Sequence, residues 1–176
     1  VGTTTVTATA TDASGRTASC TFTVTVVDAQ NPTITCPANI IVNNATGLCG
    51  ANVSFAATAS DNCPGTIVTY TKAPGSFFAV GTTTVTATAT DAAGNVSTCS
   101  FTITVIDTEL PVITCPTNIT VSNDAGQCGA IVTFTAPAAT DNCPGVTVVT
   151  SHASGDFFPV GTTTVTSTAT DVAGNI

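Results

Sequence analysis

The sequence predicts an all-β protein made of tandem small antiparallel β-sandwiches stapled by disulfides. Three observations carry this prediction: apolar and hydroxyl side chains alternate with a period of two, a block of about 80 residues recurs, and no segment has helical periodicity. Threonine, which suits a half-buried pleated surface, occurs 41 times. Because 43% of the residues are hydrophobic and alternate regularly, we expect a folded chain rather than a disordered one.

The repeat is visible in long matching stretches. VGTTTVTATATDASG at 1–15 recurs nearly unchanged at 80–94 and 160–174, and DNCPG stands at both 61–65 and 141–145. The period is 79 to 80 residues. We therefore divide the chain into three parts: the last hairpin of a preceding repeat at 1–28, a complete repeat at 29–107 (the middle repeat), and a repeat at 108–176 that lacks its final strand (the last repeat).

The strands of the middle repeat can be assigned in chain order. An opening segment at 34–42 precedes a row of inward side chains, and this row comprises Cys49, Ala51, Val53 and Phe55. Val68 and Tyr70 mark the next strand, and Phe77–Phe78 is expected to plug the core. Alternation of apolar residues with threonine then predicts a strand at 82–90, with Val85, Ala87 and Ala89 inward.

A closing strand follows the turn at 91–95. Its predicted inward side chains are Cys99, Phe101, Ile103 and Val105. Five or more short strands in about 80 residues, separated by turn sequences, are typical of a small immunoglobulin-like sandwich. A core of this size is marginal by itself, so disulfides are expected to supplement it.

Charge excludes several classes of partner. The net charge is −8, and Arg16 and Lys72 are the only basic residues. Phosphate binding needs clustered Lys and Arg, so we expect no nucleic-acid partner. No run approaches the roughly 18 apolar residues of a membrane span, so we expect no insertion by this segment. Because the sequence starts at Val1 without a leader, we interpret it as a piece of a longer protein.

Eight cysteines indicate an oxidising, extracellular setting. Structural zinc is the alternative, but zinc ligand pairs normally stand two to four residues apart, and no CxxC pair occurs here. We therefore favour disulfides. Spacing alone leaves the connectivity open, since four cysteines allow three pairings.

Several motifs in this order resemble the hyalin repeat (HYR) family. They are NPTITCPANI and LPVITCPTNI at the start of each repeat, DNCPG in the centre, FFAVGTTTVTATATDAAGN, and the closing CSFTITVID. The resemblance covers the whole chain. It implies an immunoglobulin-like extracellular module that occurs in tandem in secreted and cell-surface proteins and serves adhesion or scaffolding.

The resemblance also implies a pairing for the cysteines. Many family members carry only the first and last cysteine of the pattern, which implies a Cys36–Cys99 bond. The additional Cys49 and Cys63 would then pair with each other, as would Cys128 and Cys143 in the last repeat. Cys20 and Cys115 lack a partner within one complete repeat and are expected to pair across a repeat or copy boundary.

The sequence does not predict an enzyme. His152 is the only histidine, and Lys72 stands in its place one repeat earlier, so we interpret it as a solvent-facing strand residue. The complete repeat contains no histidine and so no nucleophile–histidine set. Most carboxylates lie in turn sequences.

Two kinds of site remain candidates. In such a sandwich, oxygen ligands from turns and the inter-repeat linker could meet at one pole and bind calcium. The candidate ligands are Asp28, Asp61, Asn62, Asp91, Asp107 and Glu109. No other cofactor is expected. N-x-S/T sequons make Asn44, Asn52, Asn95 and Asn118 candidate glycosylation sites.

We interpret the chain as a structural segment of an extracellular filament, stalk or adhesin. The proline-containing linkers at 26–32 and 105–111 should make it a semi-rigid array of beads, continued by further repeats or by self-association. Two alternatives stay open. One is a recognition module that binds glycan or a surface receptor through polar loops, for which Tyr70 is the one aromatic residue outside the Phe positions. The other is an accessory array beside a secreted enzyme.

Overall fold

The computed structural model describes all residues 1–176 and contains only strands. It has no helix, and so none that is long and apolar enough to cross a membrane. The strands are β1 (Gly2–Thr11), β2 (Thr17–Val26), β3 (Thr33–Thr35), β4 (Ile40–Asn43), β5 (Gly50–Asn52), β6 (Thr58–Ser60), β7 (Ile67–Tyr70), β8 (Phe77–Ala79), β9 (Gly81–Thr90), β10 (Val96–Ile106), β11 (Val112–Thr114), β12 (Gly129–Val132), β13 (Ala138–Thr140), β14 (Thr147–Thr150), β15 (Asp156–Pro159) and β16 (Ser167–Thr170).

The sheets are small. One has four strands in the order β4-β10-β9-β7, and the other strands pair as β1-β2, β3-β6, β5-β8, β11-β13, β12-β15 and β14-β16. The two-stranded sheets are antiparallel, whereas β4 runs parallel to the end of β10, with Ile40 opposite Ile103. Pro37, which has no N–H, interrupts the opening segment between β3 and β4. One half (β3) then pairs with β6 and the other half (β4) with β10.

The chain divides into two compact units. The first contains residues 1–39, 54–76 and 84–102, and it includes the β1-β2, β3-β6 and β7-β9 pairs. The second contains residues 40–53, 77–83 and 103–176, and it includes the β5-β8 pair and all strands of the last repeat. The middle repeat therefore contributes to both units.

Most of the inward residues predicted for the middle repeat are buried, while Cys49, Phe55 and Cys99 are half-buried. Val85, Ala87 and Ala89 of β9 have no exposed surface, and Phe101, Ile103 and Val105 of β10 are almost fully buried. The threonines between them keep access to solvent. In the first unit, the Phe55 ring lies 5.1 Å from Phe101 and 5.3 Å from Tyr70, so the chain after β5 packs on the inner face of the long strands. The predicted sandwich is confirmed.

The prediction that both Phe77 and Phe78 fill the core is wrong for Phe77. Phe78 is fully buried, but Phe77 is 45% exposed, because both belong to β8 and neighbouring strand residues point to opposite faces. Gly50, paired with Ala79, makes room for them. A Cβ at Gly50 would collide with the Phe78 carbonyl oxygen and the Phe77 ring, so this position accepts no side chain.

The last repeat has fewer strands. Residues 119–122, which correspond to β4, and residues 162–166, which correspond to the first half of β9, are not strands. Between them lies a groove of about 730 Å³ whose lining includes both stretches, with Cys115, Asn123 and Gly129 among its other lining residues. In the middle repeat, β10 occupies the place between β4 and β9. The groove is therefore the position of a β10-type strand.

Candidate functional site

Several hydrogen bonds outside the sheets lie where a turn after β4 meets the linker after β10, within the second unit. The turn is residues 44–49, and Gly47 adopts a positive φ of 71° that favours glycine. The Asn44 N–H donates to the Ile106 carbonyl oxygen at 2.8 Å, and the Asn44 Oδ1 accepts from the Thr108 N–H at 3.0 Å. The Glu109 Oε1 accepts from the Gly47 N–H at 2.7 Å. The linker is thus held by the turn.

A disulfide joins the same turn to the last repeat. Cys49 is bonded to Cys143, with Cα atoms 4.8 Å apart and a sequence separation of 94. The neighbouring Asn142 Nδ2 donates to the Leu48 carbonyl oxygen at 3.1 Å and to Asp107 Oδ1 at 3.2 Å. Turn 44–49, the linker and the loop 141–143 therefore form one bonded cluster, which we call the junction.

The structure corrects the expected pairing of Cys49 with Cys63, and of Cys128 with Cys143. Cys49 lies in the second unit beside the linker at Asp107, whereas Cys63 lies in the first unit beside Asp28. The short spacing in sequence therefore does not bring the two sulfurs together. Cys36 is bonded to Cys99, with Cα atoms 5.8 Å apart, as the resemblance implied. Cys20, Cys115 and Cys128 are exposed thiols and Cys63 is a half-buried one, so pairing across a boundary stays a prediction.

The junction contains a buried carboxylate cluster. Asp107 is 4% exposed, and its Oδ1 accepts from the Glu109 N–H at 3.3 Å. The Asp107 Oδ2, the Asp141 Oδ1 and the Asn142 Oδ1 are buried without a hydrogen-bond partner. One ligand atom each of Asp107, Asp141 and Cys143 lie within 4.8 Å of one another. Because Cys143 is in a disulfide, only oxygens remain as donors, and oxygens suit calcium.

The first unit repeats this cluster with Asp28, Asp61 and Cys63, whose ligand atoms also lie within 4.8 Å of one another. Here the Cys63 thiol donates to the Asp28 carboxylate. This hydrogen bond lowers the pKa of Asp28 and raises the pKa of Cys63. The Asn95 Nδ2 donates to the Asp28 carbonyl oxygen at 3.4 Å, as Asn175 does to that of Asp107 at 3.3 Å in the second unit.

The other calcium candidates lie next to these clusters, but their side chains have hydrogen-bond partners of their own. Asp91 accepts from the Ala93 N–H at 2.9 Å and from the N–H and Nδ2 of Asn95 at 2.8 and 2.7 Å. Burial raises the pKa of Asp91, but these hydrogen bonds outweigh it and the net pKa is lowered. Glu109 serves the turn at Gly47, and the amide of Asn62, in its favourable orientation, donates to Asp61 at 2.9 Å. The structure thus brings together Asp28 with Asp61 and Asp107 with Asp141. Calcium binding by them stays a prediction.

The four sequons divide into two groups. The Asn44 Nδ2, to which a glycan would be attached, donates to the Leu48 carbonyl oxygen at 3.2 Å, and the Asn95 Nδ2 donates to Asp91. Glycosylation of these two asparagines would break the turns that they hold. Asn52 and Asn118 are exposed and keep their candidacy.

His152 and Tyr70 lie in different surroundings from those expected. His152 is in a bend after β14, not in a strand, and its half-buried ring lies 5.3 Å from that of Phe158. Its Nδ1 lies 3.2 Å from the Ser151 Oγ. The Tyr70 hydroxyl accepts from the Ala57 N–H at 2.8 Å while its ring packs against Phe55, so this ring is part of the interior rather than an exposed binding platform.

Comparisons with known proteins agree with the motifs. Residues 1–26, 27–105 and 106–176 each match the HYR domain. Hyalin of Lytechinus variegatus is 44% identical over 188 aligned residues, which cover 98% of this chain and 34% of hyalin. Hyalin of Strongylocentrotus purpuratus is 40% identical over 185 aligned residues, which cover 99% of this chain and 15% of that protein. The chain thus spans about a third or less of these curated relatives.

Among solved structures, the protocadherin gammaB7 EC3-6 cis-dimer matches with a TM-score of 0.43 at 17% identity, over 97% of this chain and 54% of that one. The family assignment depends on the three matched stretches, which together cover the sequence from end to end. The chain belongs to the HYR domain family.

Proposed function

We propose that the chain is a non-enzymatic structural segment of an extracellular, adhesion-related repeat array, of the kind found in filaments, stalks or adhesins. The observation that carries this proposal is the junction, because four hydrogen bonds fix the linker between two HYR segments and a disulfide joins the turn to the loop on its two sides. A module that only displayed a binding loop would not need its neighbour attached covalently.

An extracellular location is supported by the disulfides, which persist in oxidising compartments, and by the likeness to hyalin. The surface fits the same role. It carries hydroxyl groups instead of mixed charges, with a net charge of −8 that keeps neighbouring arrays apart.

The cross-links define how the chain would bear tension. A force applied at the two ends follows the shortest covalent path, which crosses from Cys49 to Cys143 and bypasses residues 50–142. Within this bypassed stretch lie most strands of the middle repeat and the first strands of the last repeat. Their unfolding therefore adds no length to the oxidised chain.

Single-molecule pulling of the 176-residue chain tests the proposal. At about 3.4 Å per extended residue, reduction of both disulfides should lengthen the fully extended chain by roughly 30 nm. The double variant Cys49→Ser/Cys143→Ser, which retains Cys36–Cys99, should be longer than the parent chain by roughly 10 nm before reduction.

Cys20→Ser serves as the control, since Cys20 is an exposed thiol outside both disulfides. It should not change the extension. A chain that extends like a flexible polymer at low force, with equal length before and after reduction, would contradict a mechanical role.

A further inference from the structure

The junction has two halves, and each half occurs once more in the chain without its partner. One half is the turn that ends in Cys49, which we call the turn half. The other is the loop that ends in Cys143 together with the preceding linker aspartate, which we call the loop half. The unpartnered copies are a turn half at 123–128 and a loop half at Asp28 and 61–63.

The unpartnered turn half has the same internal bonds as the partnered one. The Asp124 N–H donates to the Gly129 carbonyl oxygen at 2.8 Å, as Ala45 donates to Gly50 at 2.8 Å. The Asn123 Nδ2 donates to the Gln127 carbonyl oxygen at 3.0 Å, as Asn44 does to Leu48 at 3.2 Å. The turn therefore forms without a partner and leaves Cys128 exposed.

The unpartnered loop half is equally complete. The Cys63 N–H donates to Asp61 Oδ2 at 2.9 Å, as Cys143 does to Asp141 Oδ2 at 3.0 Å. The carbonyl oxygens of the linker aspartates Asp28 and Asp107 each accept a hydrogen bond from the asparagine of a hairpin turn, which is Asn95 for Asp28 and Asn175 for Asp107. Cys63 thus stands in the place that Cys143 has in the closed junction.

The groove of the last repeat aligns with the unpartnered turn half, since Asn123 and Gly129 line it together with Cys115. In the partnered case, the end of β10 lies beside the turn, where the Asn44 N–H bonds to Ile106. A β10-type strand seated in the groove would lead its own linker and loop half directly to Cys128. The same strand would bring its cysteine to Cys115, in the way that β10 brings Cys99 to Cys36.

We propose that each turn half bonds to the loop half of the next HYR segment, so that every junction of the array is closed by an inter-repeat disulfide. Cys128 bonds to the Cys143-type cysteine of a following copy, and Cys63 bonds to the Cys49-type cysteine of a preceding copy. The partner is another segment of this same repeat. This inference deepens the proposed function and rests on it.

The bond forms by thiol–disulfide exchange with an external disulfide, such as oxidised glutathione or a protein disulfide oxidoreductase. The Cys128 thiolate attacks the external disulfide and releases one thiol, which leaves a mixed disulfide. The partner thiolate then attacks the Cys128 sulfur and releases the second thiol. Two protein thiols lose two electrons and two protons, and one external disulfide becomes two thiols.

An extended chain tests the proposal. Residues 1–176 are followed directly by a second copy of 97–176, so that Ile176 takes the place of Val96 and a β10-type strand follows. The added copy carries Ile131→Val and Val149→Ile, both at exposed positions, as mass marks. The protein is oxidised with a glutathione buffer, its free thiols are alkylated, and it is cleaved before aspartates, because trypsin has only two sites here.

The expected product links the unmarked peptide 124–140, which contains Cys128, to the marked peptide 141–155 of the added copy. A link between Cys128 and the unmarked peptide 141–155 would overturn the proposal, as would alkylation of Cys128. The internal control for the Cys49–Cys143 bond is the unmarked 28–60 peptide linked to the unmarked 141–155 peptide and, through Cys36–Cys99, to the 91–106 peptide. The pulling experiment on the 176-residue chain is independent of this result, so the proposed function and the inference can fail separately.

Discussion

Two hairpins with nearly the same sequence, β1-β2 and β9-β10, have opposite environments. The register is the same in both, because Thr3 pairs through its hydroxyl with Thr25 at 3.0 Å and Thr82 with Thr104 at 3.0 Å. Yet every residue of β1 and β2 is exposed, whereas in β9 and β10 alternate residues are buried. Phe22 is 55% exposed and its equivalent Phe101 only 3%.

The comparison separates what is local from what is not. Alternating threonine and the Asp-containing turns are sufficient for the hairpin, so the same pairing forms in both places. Burial needs the other strands of the repeat, and only the second hairpin has them: β4 pairs with β10, and β7 with β9. Substitutions at equivalent positions should therefore have unequal costs.

The largest difference is expected for the two phenylalanines. Phe101→Ala should lower the free energy of unfolding by about 3–5 kcal/mol, because it removes a buried ring and leaves a cavity. Phe22→Ala should change it by no more than about 0.5 kcal/mol. The fluorescence of Tyr70, the only tyrosine in a chain without tryptophan, reports on urea unfolding because Tyr70 packs against Phe55. Equal losses for the two variants would show that the exposed hairpin packs in solution.

The cysteines of the two hairpins provide the second test. Replacing Cys36 and Cys99 by alanine opens a loop of 63 residues, which should cost about 4 kcal/mol in the chain-entropy account. Cys20→Ala, at the position equivalent to Cys99, should leave the denaturation midpoint unchanged because Cys20 is not bonded. Both are measured by urea denaturation without reductant. A destabilised Cys20→Ala variant would contradict the comparison.

The linker aspartate that follows each hairpin tests the calcium prediction. If Asp107 and Asp141 hold calcium, a concentration 100-fold above Kd should stabilise the fold by about 2.7 kcal/mol. Asp107→Asn should abolish the stabilisation by calcium at the junction. Asp28→Asn, which changes the other cluster, should leave the stabilisation at the junction unchanged. Calorimetric melting with calcium and with EDTA measures both. An equal rise in the parent chain and in Asp107→Asn would rule out this site.

The acid dependence of stability should come from the turn aspartates. The folded pKa is lowered for Asp91 and Asp171, where hydrogen bonds outweigh burial, and for Asp28, which accepts from Cys63. A carboxylate whose pKa is lowered by folding stabilises the fold at any pH above its unfolded pKa, which is near 3.8. This stabilisation is lost as the pH falls from that value through the folded pKa. We therefore expect constant stability from about pH 5 upward to neutral and a decline in acid.

Asp91→Asn should make this decline shallower in equilibrium unfolding measured from pH 2 to 7. Asp12→Asn, at the equivalent turn of the exposed hairpin, is the matched control and should change the Tyr70 transition less. A decline that is the same in the parent chain and in Asp91→Asn would show that the acid sensitivity has another origin.

The smallest effect is expected for the ion pair between Arg16 and Asp12. The Arg16 Nε lies 3.1 Å from the Asp12 Oδ2, but the two side chains are 82% and 47% exposed. Such a pair contributes about 0.5 kcal/mol or less. Arg16→Ala and 1 M sodium chloride should each shift the urea midpoint only slightly. A large salt effect would indicate charge interactions beyond this pair.

The sequence could predict features that depend on neighbouring residues. Period-two alternation placed β9 and β10 and identified Val85, Ala87 and Ala89 as inward, because a strand alternates its faces whatever surrounds it. The pole where the Asp61 loop and the Asp91 turn approach Asp28 also followed from the order of strands in such a sandwich.

The missed features depend on which segments meet. A phenylalanine is usually predicted to be buried, but Phe77 is exposed because its side chain lies on the outer face of β8. The parallel β4-β10 pair and the asparagine turns that hold the linker have no periodic signal. The cysteines of the junction recur one repeat apart in the sequence. The residues around a cysteine do not indicate whether it bonds within its own repeat or to the next one.

By itself, the sequence determined the period, the all-β class and the alternating faces, since these follow from residue type and spacing along one strand. Only the tertiary structure decided that Cys49 bonds to Cys143 across 94 residues. It also gave the extent of burial in the β9-β10 hairpin, where alternate residues lose their access to solvent. The reason is physical: contacts between distant segments depend on the packing of all the strands around them, and the free energy of burial belongs to that packing rather than to the hairpin.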